Sequence, residues 1–152
     1  MITVSKSCFG KRNTPRWQNV IADSNVKYNY FTDDDISDQV YREMIDRGVN
    51  VQNVDDNNCI IDAPLGAAPF RSRRKAKLYK IIPDMFDCDS EYYIWMDAYF
   101  ELKMSPQEII TKSGFADSDS PIALFKHSQR DCVYEEMDVL KNIKYDHAPA
   151  LD

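Results

Sequence analysis

Between Tyr92 and Leu102 the chain reads Tyr-Tyr-Ile-Trp-Met-Asp-Ala-Tyr-Phe-Glu-Leu. A short, dense apolar run that stops at one carboxylate, Asp97, suits a buried β-strand. In an open α/β sheet, the strand ends form the edge where ligands usually bind. A carboxylate delivered there can hold a divalent cation and, through it, a phosphate. It can equally be an acidic residue in a turn, and this stretch alone leaves both readings open.

The surrounding pattern predicts an alternation of strands and helices. Residues 1–5 and 26–31 read as strands. Residues 8–25, with Gly10, Pro15 and several Asn, read as a loop. A helix is expected over about 35–47, where Ile36, Val40 and Met44 keep helical spacing and Gly48 follows as a C-cap. Val49, Val51 and Val54 suggest a short strand, and Cys59-Ile60-Ile61 another. A basic helix is expected over about 71–82, ending at Pro83. Residues 92–96 are expected to form the central strand. Ser105-Pro106-Gln107-Glu108 has the form of a capping box with proline in the first turn. Ile122-Ala123-Leu124-Phe125 reads as a buried strand, and a helix should run from about Asp131 to Tyr145. The expected fold is α/β: a Rossmann-like, mostly parallel mixed sheet flanked by helices, in a small or truncated version and as a single domain over 1–152.

Composition narrows the function classes. The chain has 152 residues, enough for a domain with a core. A net charge of -6 argues against a general nucleic-acid binder. No apolar run approaches the roughly 20 residues needed to span a bilayer. Residues 1–6 lack a signal-peptide pattern, so a soluble, cytoplasmic protein is expected. The cysteines, Cys8, Cys59, Cys88 and Cys132, form no close pair and read as free thiols rather than a zinc site. The chain contains neither a GxGxxG fingerprint nor a phosphate loop, and it has only four glycines. Any phosphate would therefore be met by cationic side chains and a metal.

Four elements carry candidate chemistry. Asp33-Asp34-Asp35 follows a strand; Asp34 and Asp35 suit helix capping, while Asp33 is the better candidate for touching a base or ribose. Arg71, Arg73, Arg74, Lys75, Lys77 and Lys80 crowd one helix, either as a solvated face or as partners of a diphosphate. His127 follows the last expected strand as a metal ligand or a hydrogen-bonding loop residue. Glu135 and Glu136 lie one turn into the last helix, either as a general base or on a solvated face.

Tyr30-Phe31-Thr32-Asp33-Asp34, Arg74-Lys75-Ala76-Lys77-Leu78-Tyr79-Lys80-Ile81-Ile82-Pro83, Ile94-Trp95-Met96-Asp97-Ala98, Phe125-Lys126-His127 and Arg130-Asp131-Cys132-Val133-Tyr134-Glu135-Glu136 follow one another along the chain. In that order they resemble a family of glycosyltransferase-like proteins of the A-type nucleotide-sugar fold. Its plant members are Golgi proteins linked to cell-wall polysaccharides. The resemblance covers about residues 26–145. It implies a nucleotide-sugar donor and transfer of a hexose to a glycan, protein or small-molecule acceptor. It also implies a divalent cation, Mn or Mg, at Asp97. By the same resemblance Asp33 would lie near the nucleoside, Arg74 and Lys77 near the diphosphate, and His127 by the metal or the sugar. Lys80 belongs to the same basic group. Asp97, Glu135 and Glu136 are the catalytic candidates.

The chain departs from the usual metal motif of that fold, which has two acids spaced by one residue. Here Asp97-Ala98-Tyr99 holds a single acid, and Glu101 comes four residues on. A nucleotide- or sugar-binding module without catalysis is therefore a second expectation. A protein-interaction domain using the basic helix is a third. A partner chain or oligomer is compatible with either.

Overall fold

A computed structural model of the chain describes residues 1–10, 17, 20, 23–33, 36–54, 68–83, 89–124, 129 and 132–142; within these, the side chains of 68–71, 73, 74, 133 and 136 lie outside the description. Residues 1–112 and 113–152 form two compact units, each treated by itself below.

The first unit is a parallel sheet with helices on both faces. Its strands are β1 (Ile2–Cys8), β2 (Val26–Thr32), β3 (Val49–Asn53) and β4 (Tyr92–Asp97), in the order β3-β2-β1-β4. Every described pairing is parallel, so the mixed sheet expected from sequence is wholly parallel here. β1 runs three residues further than its sequence pattern suggested. The strand expected to be central, β4, instead stands at one end of the described sheet. β1 holds the middle, bonded to β2 on one side and β4 on the other.

The topology explains where the helices lie. The step from β2 to β3 moves outward through helix α1 (Asp38–Asp46). The step from β3 to β4 returns across the sheet through helix α2 (Ala68–Ile81). Parallel crossovers are right-handed, so reversing the direction of travel puts the second helix on the opposite face. Accordingly Met44 of α1 joins Val4, Cys8, Tyr28, Tyr30 and Val49 in one core cluster. Ala76 and Tyr79 of α2 join Phe9, Phe31, Val54 and Trp95 in another.

The two faces differ in chemistry because strand residues alternate. The α1 face is apolar and also takes Trp17, Ala98, Leu102 and Ile109. Each large side chain fully buried there contributes about 1.5–3 kcal/mol. Trp17 meets Tyr28 and Tyr30 edge-on. The α2 face is polar towards the start of the strands. Thr3 Oγ1 lies 2.7 Å from Ser90 Oγ, and Asn50 Nδ2 donates to Asn29 Oδ1 at 3.1 Å across the β2–β3 register. Towards the strand ends it turns aromatic, with Phe31 and Phe9 both stacked on Tyr79.

Helix α3 (Pro106–Ser113) begins as its sequence predicts. Glu108 N–H donates to Ser105 Oγ at 3.2 Å, and Glu108 Oε2 accepts from Ser105 N–H at 2.9 Å. The Glu108 carboxylate accepts from both the Ser105 N–H and, at 3.0 Å, the Ser105 hydroxyl; these bonds, with Lys112, hold it below its usual range. In the second unit a short 3-10 turn spans Phe115–Asp117, and helix α4 covers Val133–Asn142. The buried strand expected at 122–125 is not found at 122–124. Those residues adopt no strand, and Ile122 and Leu124 are 67% and 83% exposed. An apolar run of four residues does not make a strand without a partner edge. Phe125 and the strand expected at 59–61 lie outside the described residues.

Two residues beyond β1, Gly10 is in a left-handed conformation (φ 77°), and a Cβ there would sit 2.5 Å from Ser72 Oγ of α2. Gly48 has a similar φ of 78° but open space around it. Both positions carry the left-handed penalty of about 1–2 kcal/mol for any other residue. Only Gly10 adds a steric one. Gly10→Ala should therefore lose more stability than Gly48→Ala in urea unfolding, and Ser72→Ala in the Gly10→Ala background should recover part of the difference.

Candidate functional site

The strand order creates one topological switch point. From β1 the chain moves to β2 and then β3, and it comes back to β4 on the other side of β1. Open α/β sheets bind ligands in the crevice outside the carboxyl ends at such a point, here between β1 and β4. Asp97 ends β4 there, in register with Ser7 of β1. Its side chain is exposed. The carboxylate has no hydrogen-bond or ion-pair partner among the described residues, and the backbone oxygen of Asp97 accepts from Phe100 N–H at 3.0 Å. That bond closes the turn after β4.

Lys6 braces this turn from below. It lies on the apolar face, 2% exposed, with its ammonium 4.5 Å above the Trp17 ring and donating to the Phe100 carbonyl. Burial lowers its pKa from 10.5 to about 8, partly countered by the Glu101 carboxylate, which raises it. Glu101 itself is half-buried and pairs with Lys103 at 3.7 Å. The second acid of the segment is thus engaged by cations, leaving Asp97 as a single open carboxylate.

A second buried lysine organises the ends of the other strands. Lys75 of α2 is 2% exposed and reaches Asp33 Oδ2 at 3.7 Å. It also lies 3.5 Å from the Val54 carbonyl and 5.6 Å from the centre of the Phe9 ring. The other oxygen of Asp33 accepts from Gly10 N–H at 2.8 Å. One carboxylate therefore ties the end of β2 to the end of β1 and to α2. Asp33, expected near a nucleoside, is held in a structural clasp and still keeps 22% of its side chain exposed.

Of the cations expected near a diphosphate, Lys77 and Lys80 are exposed on α2, while the Arg74 side chain lies outside the description. So do His127, Asp34 and Asp35. Glu135 is exposed on α4 in the second unit, and the Glu136 side chain is not described. Lys6 has no part in the sequence expectations, and Lys75 enters them only as one of the basic cluster. Both carried a signal: Lys6 is in phase with Val4 and Cys8 on its strand, and Lys75 is one turn from Tyr79 on its helix. Among the described residues there is no group of three or more His, Cys, Asp or Glu that could hold a metal. None of the described helices is long and apolar enough to cross a membrane.

Two stability measurements follow from the buried cations. Removing Asp33 takes from the buried Lys75 ammonium the carboxylate 3.7 Å away. Removing Lys75 leaves a partly exposed carboxylate that keeps the Gly10 N–H. Asp33→Ala should therefore cost more than Lys75→Met, by about 1–2 kcal/mol in urea unfolding. For Lys6, the unfolded chain holds its proton up to about pH 10.5 and the folded chain only to about pH 8. Between those values the unfolded state binds more protons, so stability from this group rises with pH across that window. The cost of burying the charge stands in full below it. Relative to Lys6→Met, the unaltered protein should gain on the order of 3 kcal/mol between pH 8 and 10.5; a constant difference across that window would refute the assignment.

Comparison with known proteins bears on what stands at this edge. No curated protein and no solved structure matches the chain. A family profile does, over residues 1–151: TOD1/MUCI70, glycosyltransferase-like domain. With a match of that extent over a parallel α/β sheet, the chain belongs to the TOD1/MUCI70 glycosyltransferase-like domain family.

Proposed function

We propose that the chain binds a nucleoside diphosphate sugar at the carboxyl edge between β1 and β4 and transfers its hexose to an acceptor. The observation that carries this reading is Asp97: an exposed carboxylate without a partner among the described residues, at the switch point of a parallel sheet. Unpaired acids at strand ends are ready to meet a ligand, whereas Asp33 and Glu101 are already engaged. Family membership supports the glycosyltransferase-like role.

A divalent ion fits this arrangement as one shared with the substrate. Magnesium commonly takes one or two carboxylates and completes its shell with phosphate oxygens and water. Asp97 would be its protein ligand, and the bound ion would neutralise charge building on the leaving diphosphate. The chain's own part is to present that carboxylate rigidly, through the turn closed by Phe100 N–H and braced by Lys6. Binding then brings donor and acceptor into line, which lowers the entropic cost of the reaction. Lys77 and Lys80, exposed on α2, and Arg74 supply positive charge for the diphosphate in this reading. His127, Glu135 and Glu136 keep the roles implied by resemblance, on sequence grounds alone.

One observation favours a second reading. With Glu101 paired to Lys103, Asp97 stands alone where enzymes of this fold usually offer two acids. A module that holds the nucleotide sugar without transferring it would need no more than that.

A thermal-shift panel of nucleoside diphosphates and nucleotide sugars, with and without manganese, tests both. A ligand present at about 100 times its Kd adds about 2.7 kcal/mol, a shift of several degrees for a chain of this size. The expected result is a shift for one nucleotide that grows with manganese and is lost in Asp97→Ala, whose own melting temperature stays near that of the unaltered protein. Binding without release of sugar or transfer would favour the module. A flat panel at millimolar ligand would overturn both.

A further inference from the structure

Three buried side-chain polar atoms have no hydrogen-bond partner among the described residues: Ser7 Oγ, Trp17 Nε1 and Trp95 Nε1. Trp17 lies on the apolar face with Lys6 over its ring. The other two share the opposite face and flank Asp97. Ser7 is directly in register with Asp97, and Trp95 is in register with Ser5, one step back on the same face. Ser7 is only 7% exposed, and Trp95 packs against the cluster of Phe9, Phe31, Val54 and Tyr79. An orphan donor of this kind costs about 1–3 kcal/mol, so native proteins seldom keep one without a use. Here two donors stand beside an unpaired carboxylate, at the crevice where the topology places ligands.

We propose that Ser7, Trp95 and Asp97 form a subsite for a hydroxyl-bearing sugar ring. The proposal rests on the nucleotide-sugar reading and names a part of the ligand that the same crevice grips. The chemistry selects the group. An indole N–H can only donate, and an ionised carboxylate can only accept. A hydroxyl does both: it accepts from Trp95 or Ser7 and donates to Asp97. A phosphate oxygen accepts only: it gives Asp97 no proton and can meet the carboxylate only through a bridging cation. The Trp95 ring, only partly buried, gives the subsite an apolar flank suited to the carbon face of a sugar. The ring is the ribose of the nucleotide or the hexose it carries.

Calorimetric titration of the full chain decides the matter. The probes are the diphosphates of uridine, cytidine, guanosine and adenosine and their glucose conjugates, each with manganese. The proteins are the unaltered chain, Ser7→Ala, Trp95→Phe and Asp97→Ala. Ser7→Ala removes an orphan hydroxyl, so its ligand-free melting temperature should hold or rise, while its affinity falls about five- to tenfold. Trp95→Phe should weaken the same ligand. Equal loss for the diphosphate and its conjugate assigns the ribose; loss for the conjugate alone assigns the hexose. Should Trp95→Phe fail to fold, Ser7→Ala decides by itself. If Ser7→Ala binds like the unaltered chain while Asp97→Ala does not, the subsite is overturned and the nucleotide site stands. If the unaltered chain binds none of the probes, both fall.

Discussion

Strand β1 is hydrogen-bonded along both of its edges, and the geometry at the carboxyl edge follows from that. Its pairing with β2 aligns Cys8 with Thr32, so Gly10 and Asp33 emerge close enough to bond. Its pairing with β4 aligns Ser7 with Asp97. A slip of one residue in either register would turn every side chain to the other face. The buried lysines enforce the registers from opposite sides. Lys6 locks β1 to the turn beyond β4 under one face, and Lys75 locks α2 to the ends of β1, β2 and β3 over the other.

Burying two ammonium groups in a small unit is not a cheap way to gain stability. Apolar residues of equal volume often do as well or better. What the lysines supply is direction. Each has a carbonyl within reach that belongs to a segment leaving the sheet, Phe100 after β4 and Val54 after β3. A charged donor fixes the path of each segment at a defined carbonyl, beside the apolar anchors Ala98 and Leu102 after β4 and Val54 after β3.

Much of the fold was legible because its signals are local. The run from Tyr92 to Asp97 announced a strand with an acid at its end, and the Ser105–Glu108 box marked a helix start; both stand where they were expected. The places of β1 and β4 in the sheet were not legible, since strand order depends on crossovers whose length and direction no local pattern encodes. The exposed run at 122–124 failed for a related reason: apolar character marks a tendency, and a strand needs an edge to join. Within the candidate site, the place of Asp97 at a strand end was legible from its own neighbourhood. The contacts of Lys6, Lys75, Ser7 and Gly10 were not legible, because they depend on partners far along the chain. Lys75 looked like one more charge on a basic helix until Asp33 and Phe9 closed around it.

The parallel pairing of β1 with β4 also sets an order of events in folding. The partners Ile2 and Tyr92 stand almost a full unit apart along the chain. Non-local parallel pairings form slowly, because the connecting chain must be closed before any contact rewards it. As the chain leaves the ribosome, β1 can therefore find β2 early but must wait for β4. Until then it presents an open hydrogen-bonding edge, the kind of edge that recruits other chains. The arrival of the strand bearing Asp97 both seals that edge and assembles the crevice, so protection from aggregation and completion of the site are one and the same step.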